Sequence, residues 1–195
     1  MSLRVDQGSN FGKWDNETAR LMYSDVMPAL LNGVKTGGSV VDLGGGNGLL
    51  KEWIPLAVTV DSDKTKNPDI TADILEYEGN HDLVVIRYVL HYLPDVKVKQ
   101  FFNHLSGYHS GQVLVIQFVN EDIQAKLANS VNEVKYFRTE SQLLKLLSPY
   151  RVSSRKKIEY TVSPDFYRQR LGHTNPTAHE EAVVGLLLER EDPSE

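Results

Sequence analysis

The sequence predicts an α/β domain built on a mainly parallel sheet. Three observations carry that expectation. Short apolar runs at Ser39–Leu43, Ala57–Asp61, Asp82–Tyr88 and Gln112–Val119 have the Val, Ile and Leu content of strands buried on both faces. Helical stretches or short connections separate them over most of the chain, which is the alternation a parallel sheet requires. The first run also empties into glycines, as Val-Val-Asp-Leu-Gly-Gly-Gly-Asn-Gly at residues 40–48, and the second ends in an acid, Asp61.

Each element follows from local pattern. Gly8, Ser9, Asn10 and Gly12 make residues 1–15 read as a flexible N-terminal segment ahead of a single domain at 16–192. Asn16 or Thr18 caps a helix whose apolar positions Ala19, Met22, Tyr23, Val26, Met27, Leu30 and Leu31 recur at helical spacing. Gly33 stops it. Leu49–Ile54 is a brief helix ended by Pro55. Asp69–Ile74 is a third, short strand, and Glu76–His81 a tight polar connection. Pro94 and Asp95 open a helix through about Ser106, and Glu121–Asn129 is helical. Thr139-Glu140-Ser141-Gln142 starts another helix, with Leu143, Leu144, Leu146 and Leu147 facing the core. Arg151–Val162 and Ala182–Arg190 read as strands with no helix between them, so they pair antiparallel. The polar stretch Ser163–Glu181 joins them as a long loop, a length usually reserved for functional segments.

Composition sets bounds. The chain has 195 residues, one domain by the usual size prior, with 41% apolar and 24% charged residues. A net charge of −5 disfavours the basic face of a nucleic-acid binder. With no cysteine, disulfides, thiolate metal sites and cysteine nucleophiles are excluded. Met1–Asn10 has no apolar core segment of a secretory leader, and the apolar runs are too short or interrupted to span a bilayer. The expectation is a cytoplasmic protein without membrane contact.

The glycines specify the ligand class. Close approach of a ligand to backbone needs residues without Cβ, and an acid at the tip of the next strand can accept both hydroxyls of a ribose. A dinucleotide fingerprint also needs a third glycine, at position 49, where Leu49 stands. The pattern present is Asp42-x-Gly44-x-Gly46-x-Gly48. It resembles motif I of the class I S-adenosylmethionine-dependent methyltransferases, and the chain is similar to their type 11-like small-molecule group. The resemblance covers residues 40–190. It implies a Rossmann-like, seven-stranded, mostly parallel sheet with one antiparallel strand and helices on both faces. It implies S-adenosyl-L-methionine as cofactor.

Residue by residue, the resemblance places Asp42, Gly44, Gly45 and Gly46 against the cofactor and Asp61 on its ribose. Asp73 takes the adenine amino group, Ile74 packs on the ring, and Arg87 is counted with these cofactor-binding residues. Arg87-Tyr88-Val89-Leu90-His91-Tyr92-Leu93 resembles the Val-Leu-His-His-Leu segment of the type 11 group and the histidine stretch of plant-type O-methyltransferases. His91 is therefore the candidate catalytic base, since a neutral imidazole suits proton removal near pH 7. Trp14 and Tyr23 fall on a lid segment, and Tyr92 and Arg168 on the acceptor side.

The acceptor implied is a small molecule, with oxygen slightly favoured on the strength of His91. A non-catalytic binder of the same cofactor, and an RNA or protein methyltransferase working with a partner, are the alternatives. No Asn-Pro-Pro-Tyr follows the fourth strand, no Walker lysine follows the glycines, and no Gly-x-Ser-x-Gly elbow is present. The acceptor and oligomeric state are not specified, and no metal site is expected.

Overall fold

The computed structural model describes residues 26–119, 136–162 and 179–191, with backbone only at 160–162 and 179–181. The described elements are α1 (Val26–Leu31), β1 (Val40–Leu43), β2 (Val58–Asp61), β3 (Ile70–Thr71), β4 (Leu83–Arg87), α2 (Asp95–Tyr108), β5 (Gln112–Val119), α3 (Glu140–Leu144), β6 (Tyr150–Val162) and β7 (His179–Arg190). Three 3₁₀ turns, Leu49–Glu52, Lys64–Lys66 and Leu90–Tyr92, lie among them. The helix expected at 121–129 and the residues before Val26 of the first expected helix fall outside the described residues.

The strands form one seven-stranded sheet in the order β3-β2-β1-β4-β5-β7-β6. The pairs β1–β2, β1–β4, β2–β3 and β4–β5 are parallel, while β7 runs antiparallel to both β5 and β6. Reversal at β1 between β2 and β4 opens a crevice at the carboxyl ends of these strands, where open α/β sheets hold ligands.

Alternation along the central strands builds two cores. Val84, Ile86, Val113 and Val115 face one side, with Phe101, Phe102, Leu105 and Leu147. Leu83, Val85, Leu114 and Ile116 face the other, with Val26, Met27 and Leu30 of α1. The period of two puts successive side chains on opposite faces, which is why β4 reads as an unbroken apolar run. Helix α2 buries Val98, Phe101, Phe102 and Leu105, the i, i+3, i+4, i+7 stripe. Each large side chain on that stripe contributes about 1.5–3 kcal/mol of burial.

Four sequence expectations change. The crossover helix expected at 49–54 is a 3₁₀ turn over Leu49–Glu52 only, because Gly48 enters it from the left-handed region and Pro55 follows closely. The third strand keeps two residues. At either side of it the acids bond backbone through their side chains instead: Asp69 accepts from Thr59 N at 2.7 Å, and Asp73 from Leu75 N at 2.9 Å. Leu144 does not face the core; it is exposed, while Leu143, Leu146 and Leu147 are buried. Strand β7 begins at His179, three residues earlier than expected, paired with Val162 of β6.

Helix α3 starts as its sequence indicates. Thr139 Oγ1 accepts from Gln142 N, and Gln142 Oε1 accepts from Thr139 N, a reciprocal capping box.

Candidate functional site

Glycine conformation shapes the turn after β1. Gly44 has φ 73° and Gly46 φ 57°, both in the left-handed region. Gly44 N and Gly45 N donate to Val60 O at 2.8 and 3.2 Å, which pins the turn to β2. A Cβ on Gly44 would lie 2.4 Å from Val89 Cγ2, and one on Gly45 2.6 Å from Asp42 Oδ2. At Gly46 a Cβ would meet no atom within 4 Å, so open space lies over that residue.

Asp61 closes the crevice at the tip of β2. Its Oδ2 accepts from Gly46 N at 2.9 Å and its Oδ1 from Asp63 N at 2.9 Å. The side chain is only partly buried, and each carboxylate oxygen has a second lone pair for a hydroxyl donor. One bond thus joins the two halves of the motif, the glycine turn and the strand-end acid.

Asp42 is fully buried, and Gly45 covers it. Its Oδ2 accepts from Arg87 Nη2 at 2.9 Å across the β1–β4 pair, with the arginine side chain also buried. Asp42 Oδ1 has no protein partner. The structure therefore places Asp42 and Arg87 beneath the turn as a buried ion pair, not on the crevice surface. Asp73 is exposed at the mouth, and Ile74 is turned into the core.

The chain leaves β4 sharply. Tyr88 has φ 54°, an outlier for a bulky residue, and its ring packs against Phe118, tilted by 33° with 4.6 Å between centroids. This bend delivers the 3₁₀ turn Leu90–Tyr92 beside β5. His91 is buried and lies 4.0 Å from the Tyr92 ring, centroid to centroid. Gln117 of β5 spans the turn: its Oε1 accepts from Leu90 N at 3.1 Å, and its Nε2 meets His91 Nδ1 at 3.0 Å.

Arg138 clamps the same turn from the far side. It is buried, donates to Leu90 O at 2.8 Å and Leu93 O at 2.7 Å, and pairs with Asp95 Oδ1 at 2.7 Å. Neither Gln117 nor Arg138 was indicated by the sequence. They stand 26 and 47 residues from His91, and no local motif marks them. The one available signal was a polar residue inside an apolar strand, Gln117 between Ile116 and Phe118.

Trp14, Tyr23 and Arg168 lie outside the described residues. Among the described residues, no group of three or more His, Cys, Asp or Glu could hold a metal ion. No helix among them is long and apolar enough to cross a membrane. An open cleft at the opposite, amino ends of the strands is lined by Lys35, Ser39, His81, Asp82 and Arg190 among others, and by none of the expected site residues.

No protein-family model and no curated protein sequence matches the chain. Solved structures do match it in fold. The chain is similar to the mitomycin 7-O-methyltransferase MmcR, with TM-score 0.58 and 17% identity over 94% of this chain and 61% of that one. It is similar to magnesium protoporphyrin IX methyltransferase (ChlM) from Synechocystis PCC 6803 with bound S-adenosylhomocysteine (SAH), with TM-score 0.59 and 16% identity over 95% of this chain and 96% of that one. TehB from Haemophilus influenzae matches with TM-score 0.59 and 15% identity over 86% of this chain and 62% of that one. The chain thus spans about three-fifths of the length of the first and third of these proteins. These likenesses and the strand order establish one point: the chain has the class I methyltransferase fold.

Proposed function

We propose that the chain is an S-adenosylmethionine-dependent methyltransferase acting on a small-molecule acceptor, with oxygen the favoured acceptor atom. The observation that carries this reading is the bond from Gly46 N to Asp61 Oδ2. It sets an open glycine turn beside a half-exposed carboxylate at the carboxyl ends of adjacent parallel strands.

The residues fit that cofactor. Open space over Gly46 admits a ligand against the backbone, and Asp61 keeps acceptor capacity for a ribose diol. Asp42, buried with Oδ1 unpartnered among protein atoms, lies under the turn and not against the ligand. When bound, the cofactor supplies a methyl group activated by a sulfonium. The chain's part is then to hold and orient. Asp61 fixes the ribose, Gly44–Gly46 line the ligand by backbone, and Asp73 marks the adenine end. Asp42 and Arg87 support the turn from below, while His91 and Tyr92 border the acceptor. Trp14, Tyr23 and Arg168 belong to the same reading as lid and acceptor residues. Orientation of this kind can supply about 7–11 kcal/mol of a barrier.

The test is transfer of labelled methyl from the cofactor to fractionated small metabolites. Label should enter a small-molecule fraction and disappear with Asp61→Ala. A reduced crossover, only the four-residue turn Leu49–Glu52, favours a second reading, in which the protein binds the cofactor without catalysis. Binding without transfer to any fraction would select that reading.

A further inference from the structure

We propose that Gln117 locks His91 in the tautomer that carries its proton on Nε2, so that the ring has no lone pair available to act as a general base. The place of His91 beside the acceptor rests on the methyltransferase reading above; the tautomer does not.

The logic is an accounting of donors. Leu90 N is a backbone N–H and can only donate. It lies 3.1 Å from Gln117 Oε1, in a buried setting. Turning the amide over would set two donors against each other, so Oε1 must face Leu90. The amide's NH₂ end then faces His91 Nδ1, at 3.0 Å. An NH₂ group has no lone pair to offer, so Nδ1 must accept. A neutral imidazole carries one proton, and with Nδ1 accepting it sits on Nε2. Gln117 and His91 are both buried, 4% and 6% exposed, so water does not readily replace either partner.

The consequence is chemical. A base needs a lone pair aimed at the proton it removes. The only imidazole lone pair is on Nδ1, and Gln117 covers it. A site without that base suits an acceptor whose nucleophilic oxygen arrives already ionised, such as a carboxylate or an acidic phenol. Gln117 is a positioning residue that acts through His91. The Arg138 bond to Leu90 O and the Gln117 bond to Leu90 N hold the same peptide segment from two sides, which fixes the register of the lock.

The experiment is nitrogen NMR of the full chain labelled in its histidines, at about pH 8.5, where an ordinary imidazole is neutral. His91→Asn assigns the signal. The wild-type ring should show a bare Nδ1 and a protonated Nε2. In Gln117→Glu the carboxylate accepts from both Leu90 N and the ring, so the proton should move to Nδ1. A proton on Nδ1 in the wild-type ring would overturn the proposal, whatever the variant does. An unchanged tautomer in a folded Gln117→Glu would overturn the role given to Gln117. Calorimetry with SAH on the same samples separates the two readings. Absent cofactor binding would remove the methyltransferase assignment and leave the tautomer standing, whereas a misplaced proton would remove the lock and leave binding untouched.

Discussion

Two glycines two residues apart should behave differently when given a methyl group. At Gly46 the left-handed backbone costs an alanine about 1–2 kcal/mol, but the new carbon meets no protein atom within 4 Å. Gly46→Ala should fold, lose that modest stability in urea titration, and lose at least tenfold in affinity for SAH. At Gly44 the carbon would strike Val89 at 2.4 Å. Gly44→Ala should lose a further 1–3 kcal/mol or so from overpacking, and its main readout is stability. The Asp42–Arg87 pair makes a third case. Arg87→Met leaves a buried carboxylate without its partner, a change worth about 3–5 kcal/mol, so unfolding should show a large loss. The motif acids and glycines were legible in the sequence because chain spacing alone brings them together. Burial of Asp42 under Gly45 was not legible, since it depends on Arg87 from a different strand. Gln117 and Arg138 gave little signal for the same reason: their partners are distant in sequence, and several of the bonds go to backbone atoms.

The 3₁₀ turn that carries His91 has no side-chain N-cap; at its other end Leu93 N donates to Leu90 O, and Arg138 adds a second donor to Leu90 O and one to Leu93 O. Because hydrogen bonds to charged groups contribute about 1.5–3 kcal/mol each, Arg138→Met should lower stability by at least ~2 kcal/mol in urea titration. A loss below ~1 kcal/mol would show that the turn stands without the clamp. Helix α2 ends near a pair of imidazoles, His109 and His81. Burial holds His109 below its ordinary range of 6.5, the bond from its ring to Gln112 O opposes this, and nearby His81 adds to the lowering. Burial likewise lowers His81, against the pull of Asp82. In unfolded chain both would titrate near 6.5, so below that pH the unfolded state binds more protons. Their neutral burial thus contributes stability above about pH 6.5, and that contribution falls away as pH drops through the lowered folded values. The melting temperature should decline between about pH 7 and 5.5, and His109→Gln should shrink the decline. Strands β4 and β5 and helix α2 were readable from apolar run and helical stripe. Strand β3 and the crossover were misjudged in length, because Asp69, Asp73 and Gly48 act through side-chain bonds or a left-handed backbone that apolar pattern does not report.

At the scale of the whole molecule, β1 to β5 run parallel and only β7 is reversed, although α-helices are absent from the connections between β1 and β4. The antiparallel β6–β7 pair closes one edge of the sheet, and the parallel strands before it leave the crevice at β1 and β2. That architecture makes the fold legible and the acceptor illegible: the sheet sets where a nucleoside lies, while acceptor choice resides in segments that follow no repeating pattern. A ligand that binds only the folded state at 100 times its Kd stabilises by about 2.7 kcal/mol. SAH at that excess should raise the melting temperature by roughly 5–10 °C, and NAD should not. Isothermal titration of the intact, folded chain with SAH, alongside Asp61→Ala, tests the central claim most directly. The account predicts one site per chain, at least tenfold weaker in the variant, and no heat with NAD. A folded wild-type chain that gives no binding, or a variant that binds as tightly as wild type, would contradict it.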